Sequence, residues 1–112
     1  MQKFDYRAPR FLVDFPVQLS IGNSTQLGRC KEISTDGMRL ELCDQVEANS
    51  IGSLKMNYES LSIEVGVRVT HIVPSFAGLK FVFESDRQRK DVERLVTLLA
   101  ASAKFAGPAQ LD

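Results

Sequence analysis

The chain has 112 residues, 44% of them hydrophobic and 25% charged, which is the composition of a single globular domain with one core. Fourteen basic and fourteen acidic residues give a formal net charge of zero, which argues against a general DNA- or RNA-binding protein, because such proteins carry a basic surplus. The sequence has no signal-peptide-like apolar start and no apolar run of about 20 residues that would span a membrane, so we expect a cytoplasmic protein.

The first predicted strand covers residues 11–21, after a polar, basic leader over residues 1–10. Every second residue from Phe11 to Ile21 is apolar, which is the period of a strand with one buried face. Pro16 lies on the opposite phase and cannot donate to a β-ladder. We therefore expect this strand to lie partly at an edge or to carry a bulge.

Five further strands are predicted between residues 26 and 84. Turn signals and alternating apolar residues place them at residues 26–33, 38–43, 54–58, 61–73 and 79–83. Gly66 predicts a bend or bulge in the fifth strand. His71 shares the apolar phase of that strand, and we expect it to be partly buried and hydrogen-bonded rather than a ligand. Cys30 and Cys43 are expected as reduced thiols, or as a disulfide if their strands pair.

The spacing of apolar residues changes after residue 85 and predicts a helix over residues 86–103. Ser85 and Gln88 match a capping box, and Gly107-Pro108 is expected to end the helix. Its apolar stripe, suited to covering a barrel mouth, consists of Val92, Leu95, Val96, Leu99 and Ala103. The whole pattern predicts one all-β-dominated domain, a barrel-like antiparallel sheet over residues 11–84 with a C-terminal α-helix.

Two polar clusters, Tyr6 to Arg10 and Glu32 to Gly37, predict a site for a guanine nucleotide. A guanidinium matches the two acceptors on the Hoogsteen edge of guanine and grips phosphate in the same fork geometry. A carboxylate accepts from the donors on the opposite edge, and glycine lets the backbone approach closely. The predicted ligand-binding residues are Arg7, Arg10, Glu32, Ser34 and Gly37, with Tyr6, Asp36 and Arg39 as additional candidates.

Three segments resemble the PilZ domain family: Arg-Phe-Leu-Val-Asp-Phe-Pro-Val from Arg10, Glu-Ile-Ser-Thr-Asp-Gly from Glu32, and Gly-Leu-Lys-Phe-Val from Gly78. The resemblance implies a six-stranded antiparallel PilZ-type β-barrel that binds the bacterial second messenger cyclic di-GMP through RxxxR and (D/N)xSxxG motifs, with no metal or other cofactor. Ser34 and Gly37 match as they stand. The chain departs from the motifs at Tyr6, where the first arginine is expected, and at Glu32, where the family has Asp or Asn.

The resemblance implies a non-enzymatic sensor that signals to an unidentified protein partner. Ligand would order the leader over the barrel, and we expect a monomer or a weak dimer. The alternative is a PilZ-like protein-interaction adaptor that has lost nucleotide binding. The sequence shows no nucleophile–base pair, no suitably spaced carboxylate pair and no metal cluster, so an enzyme is disfavoured. No DNA or RNA partner is expected at zero net charge.

Overall fold

The computed structural model describes residues 8–101, with their side chains, and the backbone of residues 104–107. Its elements are β1 (Arg10–Ile21), β2 (Ser24–Ile33), β3 (Gly37–Leu42), β4 (Ile51–Tyr58), β5 (Leu61–Val73), β6 (Phe76–Val82), α1 (Asp86–Ala100) and β7 (Lys104–Gly107). All strand pairs are antiparallel, in the order β2-β3-β6-β5-β4-β1-β7, and β1 also pairs with β2. This second pairing closes β1 to β6 into a barrel, so the predicted six-stranded barrel with a helix is confirmed.

The core fills the barrel with the side chains that the alternating pattern predicts. In β1, Phe15, Val17 and Leu19 are buried, while Phe11, Val13 and Ile21 are partly buried against the same core. The helix α1 packs against β5 and β1. Four of the five residues of its predicted stripe are buried, namely Val92, Leu95, Val96 and Leu99. Ala103 lies outside the described residues.

Capping residues set the start of α1 where the sequence predicts it. The side chain of Ser85 accepts a hydrogen bond from the backbone N–H of Gln88 at 3.2 Å. The side chain of Gln88 in turn accepts from the backbone N–H of Glu84 at 2.8 Å. The first bond satisfies a donor that a helix start leaves without a partner, and the second ties the residue before the cap to the first turn of the helix. In the described part of the chain, no helix combines the length and the apolar character needed to cross a membrane.

The C-terminal end differs from the sequence-based expectation. The helix ends at Ala100 rather than at Ala103, and Gly107 belongs to a strand rather than to the end of the helix. This strand, β7, pairs antiparallel with the start of β1 and has Gly107 opposite Arg10. Four residues are too few to show a period of two, and the partner lies at the other end of the chain. The pattern of the sequence therefore could not reveal β7.

Both irregularities expected of β1 are present. Its register with β2 shifts between Leu12 and Phe15, which marks a bulge just before Pro16. On its other side, β1 pairs with β7 over residues 10–12 and with β4 over residues 17–21. Pro16 thus lies where β1 has a strand neighbour on one side only among the described residues. A residue without an N–H is tolerated at such a place.

The bulge in β5 lies at Thr70 and not at Gly66. Gly66 keeps regular register with both neighbouring strands, whereas the register with β6 shifts between Val69 and His71. Gly66 is needed for close approach, because a Cβ there would lie 2.8 Å from the carbonyl oxygen of Val82. The extra residue at Thr70 reverses the alternation that follows it. His71 is therefore exposed, and the expectation that it is partly buried was wrong.

The two cysteines are free thiols, as expected, and differ in their surroundings. Cys30 is fully buried in β2, and Cys43 is exposed just after β3. Burial raises the pKa of the Cys30 thiol, because an apolar environment disfavours the thiolate. Cys30 is therefore an unreactive member of the core.

An exposed ion-pair cluster joins β1 to β2 beside the first bulge. Asp14 accepts hydrogen bonds from the Arg29 and Lys31 side chains, with 3.0 Å between Lys31 Nζ and Asp14 Oδ2. The hydrogen bond from Arg29 and then that from Lys31 hold the pKa of Asp14 below its usual value of 3.8. The folded protein therefore favours the ionised carboxyl.

We predict that Asp14→Asn lowers the free energy of unfolding near neutral pH by a small amount, since the cluster is solvent-exposed. Because the pKa of Asp14 is lower in the folded state, its ion pairs stabilise the folded protein at pH values above the pKa of the unfolded state. This stabilisation is lost as the pH falls through the pKa of the folded state. The difference between parent and variant should thus shrink as pH falls below about 4. Urea unfolding at several pH values measures it, with Glu64→Gln as the control. A difference that stays constant into strong acid would contradict the prediction.

Candidate functional site

Four strands place a row of positions across the outer face of the barrel. Glu32 on β2 lies opposite Arg39 on β3, Arg39 lies opposite Gly78 on β6, and Gly78 lies opposite His71 on β5. Neighbouring strands are about 4.8 Å apart, so the row is about 14 Å long. A groove of about 580 Å³ runs along it, lined also by Ala8, Arg10, Ser34, Asp36, Gly37, Thr70 and Lys80.

The carboxylate of Glu32 lies between two guanidinium groups. Glu32 Oε1 is 3.6 Å from Arg10 Nη1, and Glu32 Oε2 is 3.3 Å from Arg39 Nη2. A register shift between Cys30 and Glu32 sets Glu32 opposite Arg39. The Glu32 side chain is 19% exposed, against 44% for Arg10. Both guanidinium groups therefore share one carboxylate, and the three side chains together keep one net positive charge.

Arg39, an additional candidate in the sequence, is held on both sides and retains an unused donor. Its Cζ atom lies 4.6 Å from the centroid of the Phe76 ring, in cation–π contact. Its Nε atom is buried and has no hydrogen-bond partner within the described residues. Buried donors of this kind are rare in folded proteins. The Nε–H group of Arg39 therefore has no acceptor among the described residues, although its guanidinium contacts both Glu32 and Phe76.

The turn from Ser34 to Gly37 is built by the motif residues themselves. Ser34 Oγ accepts from the N–H groups of Asp36 at 3.0 Å and of Gly37 at 3.3 Å, and the Ser34 N–H donates to the Gly37 carbonyl at 2.9 Å. Ser34 is only 6% exposed. Its hydroxyl has two acceptor positions, and the turn uses both. Ser34 therefore shapes the edge of the groove between Glu32 and Arg39.

Gly37 is required by the neighbouring strand. A Cβ on Gly37 would lie 2.1 Å from the carbonyl oxygen of Leu79, a distance that no side chain can occupy. The Asp36 carbonyl accepts from the N–H of Phe81 at 2.8 Å, which ties the turn to β6. The close approach of β3 to β6 at this point fixes the register that places Arg39 opposite Gly78.

The structure brings most of the predicted site residues to one groove. Arg10, Glu32, Ser34, Gly37, Asp36 and Arg39 all line it. Arg10 is the first residue of β1 rather than part of the leader. Tyr6 and Arg7 lie outside the described residues. Within residues 8–101, no group of three or more His, Cys, Asp or Glu side chains could hold a metal ion.

Sequence reasoning missed the far side of the groove, which β5 and β6 supply. These residues are Thr70, His71, Gly78 and Lys80. His71 was assigned to the inner face because the bulge at Thr70 has no sequence signature. Gly78 carried a weak signal, since it begins one of the three segments that resemble a known family.

Comparisons with known proteins agree on the fold. A family model described as "PilZ domain" matches residues 5–98. No curated protein matches the chain. The solved PilZ domain of CeSA from a cellulose-synthesizing bacterium is similar with a TM-score of 0.72 and 15% identity, over 81% of this chain and 97% of that one.

Two further solved structures are similar at comparable identity. The inhibitor of motility MotI/DgrA from Bacillus subtilis has a TM-score of 0.65 and 16% identity, over 91% of this chain and 54% of that one. An uncharacterised Legionella protein has a TM-score of 0.56 and 18% identity, over 82% of this chain and 90% of that one. At such identities the structural likeness establishes the fold alone.

We predict that Ser34→Ala destabilises the protein by about 1–3 kcal/mol, because two N–H groups of the turn lose their acceptor. The matched control is Ser62→Ala, which removes an exposed hydroxyl of β5. Urea unfolding measures both variants. Equal stability of Ser34→Ala and the parent protein would show that the hydroxyl does not hold the turn.

Proposed function

The chain belongs to the PilZ domain family, and from this premise we propose that it binds cyclic di-GMP in the groove along Glu32, Arg39, Gly78 and His71. In this proposal it acts as a non-enzymatic receptor that reports the ligand to a protein partner. The observation that carries the proposal is the convergence of two guanidinium groups and one carboxylate on one groove. The family match covers residues 5–98 and includes every member of that cluster.

The ion pairs of the free site are weak enough to be exchanged for contacts to the ligand. A partly exposed ion pair contributes about 0–1 kcal/mol. A bidentate guanidinium contact to guanine contributes about 1–3 kcal/mol of discrimination. In the complex, the carboxylate of Glu32 takes the donors on one edge of guanine, and the freed arginine forks take the other edge or a phosphate. The loss of these ion pairs would therefore cost little.

In this proposal the leader also contacts the ligand, because the chain that follows it begins at the groove. Ala8 lines the groove, and Arg10 begins β1 two residues later. Arg7 precedes this point directly and supplies a further guanidinium in our proposal. Ordering of the leader over the bound ligand would change the surface that a partner meets.

A second candidate function is an adaptor that binds protein partners and no nucleotide. The observation that favours it is the pairing of Glu32 with both Arg10 and Arg39, which gives each guanidinium a partner without a ligand. Glu32 also carries one methylene more than the Asp of the family motif and so reaches about 1.5 Å further. The adaptor predicts that cyclic di-GMP has no effect on stability.

We predict a clear rise of the melting temperature with cyclic di-GMP. Ligand at 100 times its Kd stabilises a protein by about 2.7 kcal/mol, and about 1 kcal/mol raises the melting temperature of a domain of this size by about 4–8 °C. Differential scanning calorimetry measures the shift, with GTP and cyclic GMP as control ligands. An unchanged melting temperature at millimolar ligand would support the adaptor instead.

We predict that Arg10→Ala raises the Kd for cyclic di-GMP about 5- to 150-fold, the equivalent of about 1–3 kcal/mol for one bidentate contact to guanine. Isothermal titration calorimetry measures the Kd. Arg94→Ala is the control, because Arg94 is an exposed arginine of α1 outside the groove. If Arg10→Ala binds as tightly as the parent protein, Arg10 does not contact the ligand.

A further inference from the structure

The bulge at Thr70 brings His71 onto the outer face of the barrel, directly above β6. The imidazole Cε1 and Nδ1 atoms lie 2.6 and 2.8 Å from the point that a Cβ on Gly78 would occupy. Real Cβ atoms essentially never make contacts this short. The ring therefore fills a space that only a glycine leaves open. Thr70 Oγ1 donates to the Gly78 carbonyl at 3.0 Å and holds the bulge against the same residue.

No polar contact with the described residues explains where the His71 ring lies. His71 is exposed and lines the groove, yet its imidazole makes no hydrogen bond or ion pair with any described residue. An exposed histidine on a strand normally extends into solvent. Here the ring lies against Gly78, and neither ring nitrogen makes a hydrogen bond with a described residue. This arrangement presents an aromatic surface to the groove.

The distance between His71 and the charged cluster suits a ligand with more than one base. His71 lies two strands beyond Arg39 in the row, a separation of about 10 Å. A guanine held by Arg10, Glu32 and Arg39 leaves this far end of the groove to the remainder of the nucleotide. Single-stranded nucleotides are commonly bound by stacking of their bases on aromatic rings, histidine included.

We propose that His71 contacts the ligand directly and that its ring stacks on a nucleobase of the bound guanine dinucleotide. This proposal rests on the proposed function and extends it to a residue outside the two motifs. Gly78 is a positioning residue, because it acts only by leaving room for the ring. The charged cluster selects guanine through its edges, and His71 adds a contact to the face of a base.

A double-mutant cycle on the full chain tests both roles, with the Kd for cyclic di-GMP as the readout. His71→Ala should raise the Kd about 10-fold, a typical loss for one base–aromatic stack. Gly78→Ala should cause a similar loss, because its methyl group displaces the ring. The double variant should bind no more weakly than His71→Ala, since the methyl group then has Thr70 Oγ1 at 3.2 Å as its nearest remaining contact. His71→Phe should retain most of the affinity.

A spectroscopic readout separates contact from a merely structural role. His71 is the only histidine of the chain, so its Cε1–H resonance needs no assignment. This resonance should shift on titration with cyclic di-GMP and follow the same saturation curve as the calorimetric heat. Melting temperatures of the parent protein and the four variants show whether each is folded at the temperature of the titration.

The outcomes distinguish the proposals. Tight binding by both the parent protein and His71→Ala, or a resonance that does not move at saturation, would overturn the role of His71 and leave the proposed function intact. Additive losses in the double variant would overturn the positioning role of Gly78. No binding by the parent protein would overturn the proposed function and this inference together.

Discussion

The closure of the barrel by β1 is the constraint from which the rest of the structure follows. β1 pairs with β2 along one side and with β4 along the other, so its register must satisfy two neighbours at once. A closed sheet must bend, and bulges supply the bends. Register shifts occur in β1 before Pro16, in β2 before Glu32 and in β5 before His71. The latter two shifts each precede a residue of the groove.

The bulges thus connect architecture to chemistry. A bulge adds one residue to a strand, so the residues beyond it exchange inward and outward positions relative to an uninterrupted alternation. In β2 the shift sets a carboxylate opposite Arg39. In β5 it moves an imidazole from the core phase to the surface. The same local defects that let the sheet close therefore collect polar groups on one face.

Features that depend on residues close together in the sequence were predicted, and features that depend on distant residues were not. The alternation in β1 and the helical stripe of α1 are repeated over many residues, so they predicted the core correctly. The Ser34–Gly37 turn is a local motif whose hydrogen bonds join residues two or three positions apart, so it was also found. His71 and β7 depend on register and on partners distant in sequence, which no local pattern records.

The groove combines a turn held by hydrogen bonds with ion pairs that can change partners, and this difference matters for the proposed binding of a ligand. The turn at Ser34 is held by part-buried hydrogen bonds within the motif, so it would lose little freedom if a ligand bound. The ion pairs of Glu32 with Arg10 and Arg39 are partly exposed and can rearrange at small cost. In the proposed complex, the charged contacts to the ligand would form by exchange of partners. A longer carboxylate at Glu32 is compatible with the proposed site, because the same reach that serves the two arginines in the free state would serve the ligand in the proposed complex.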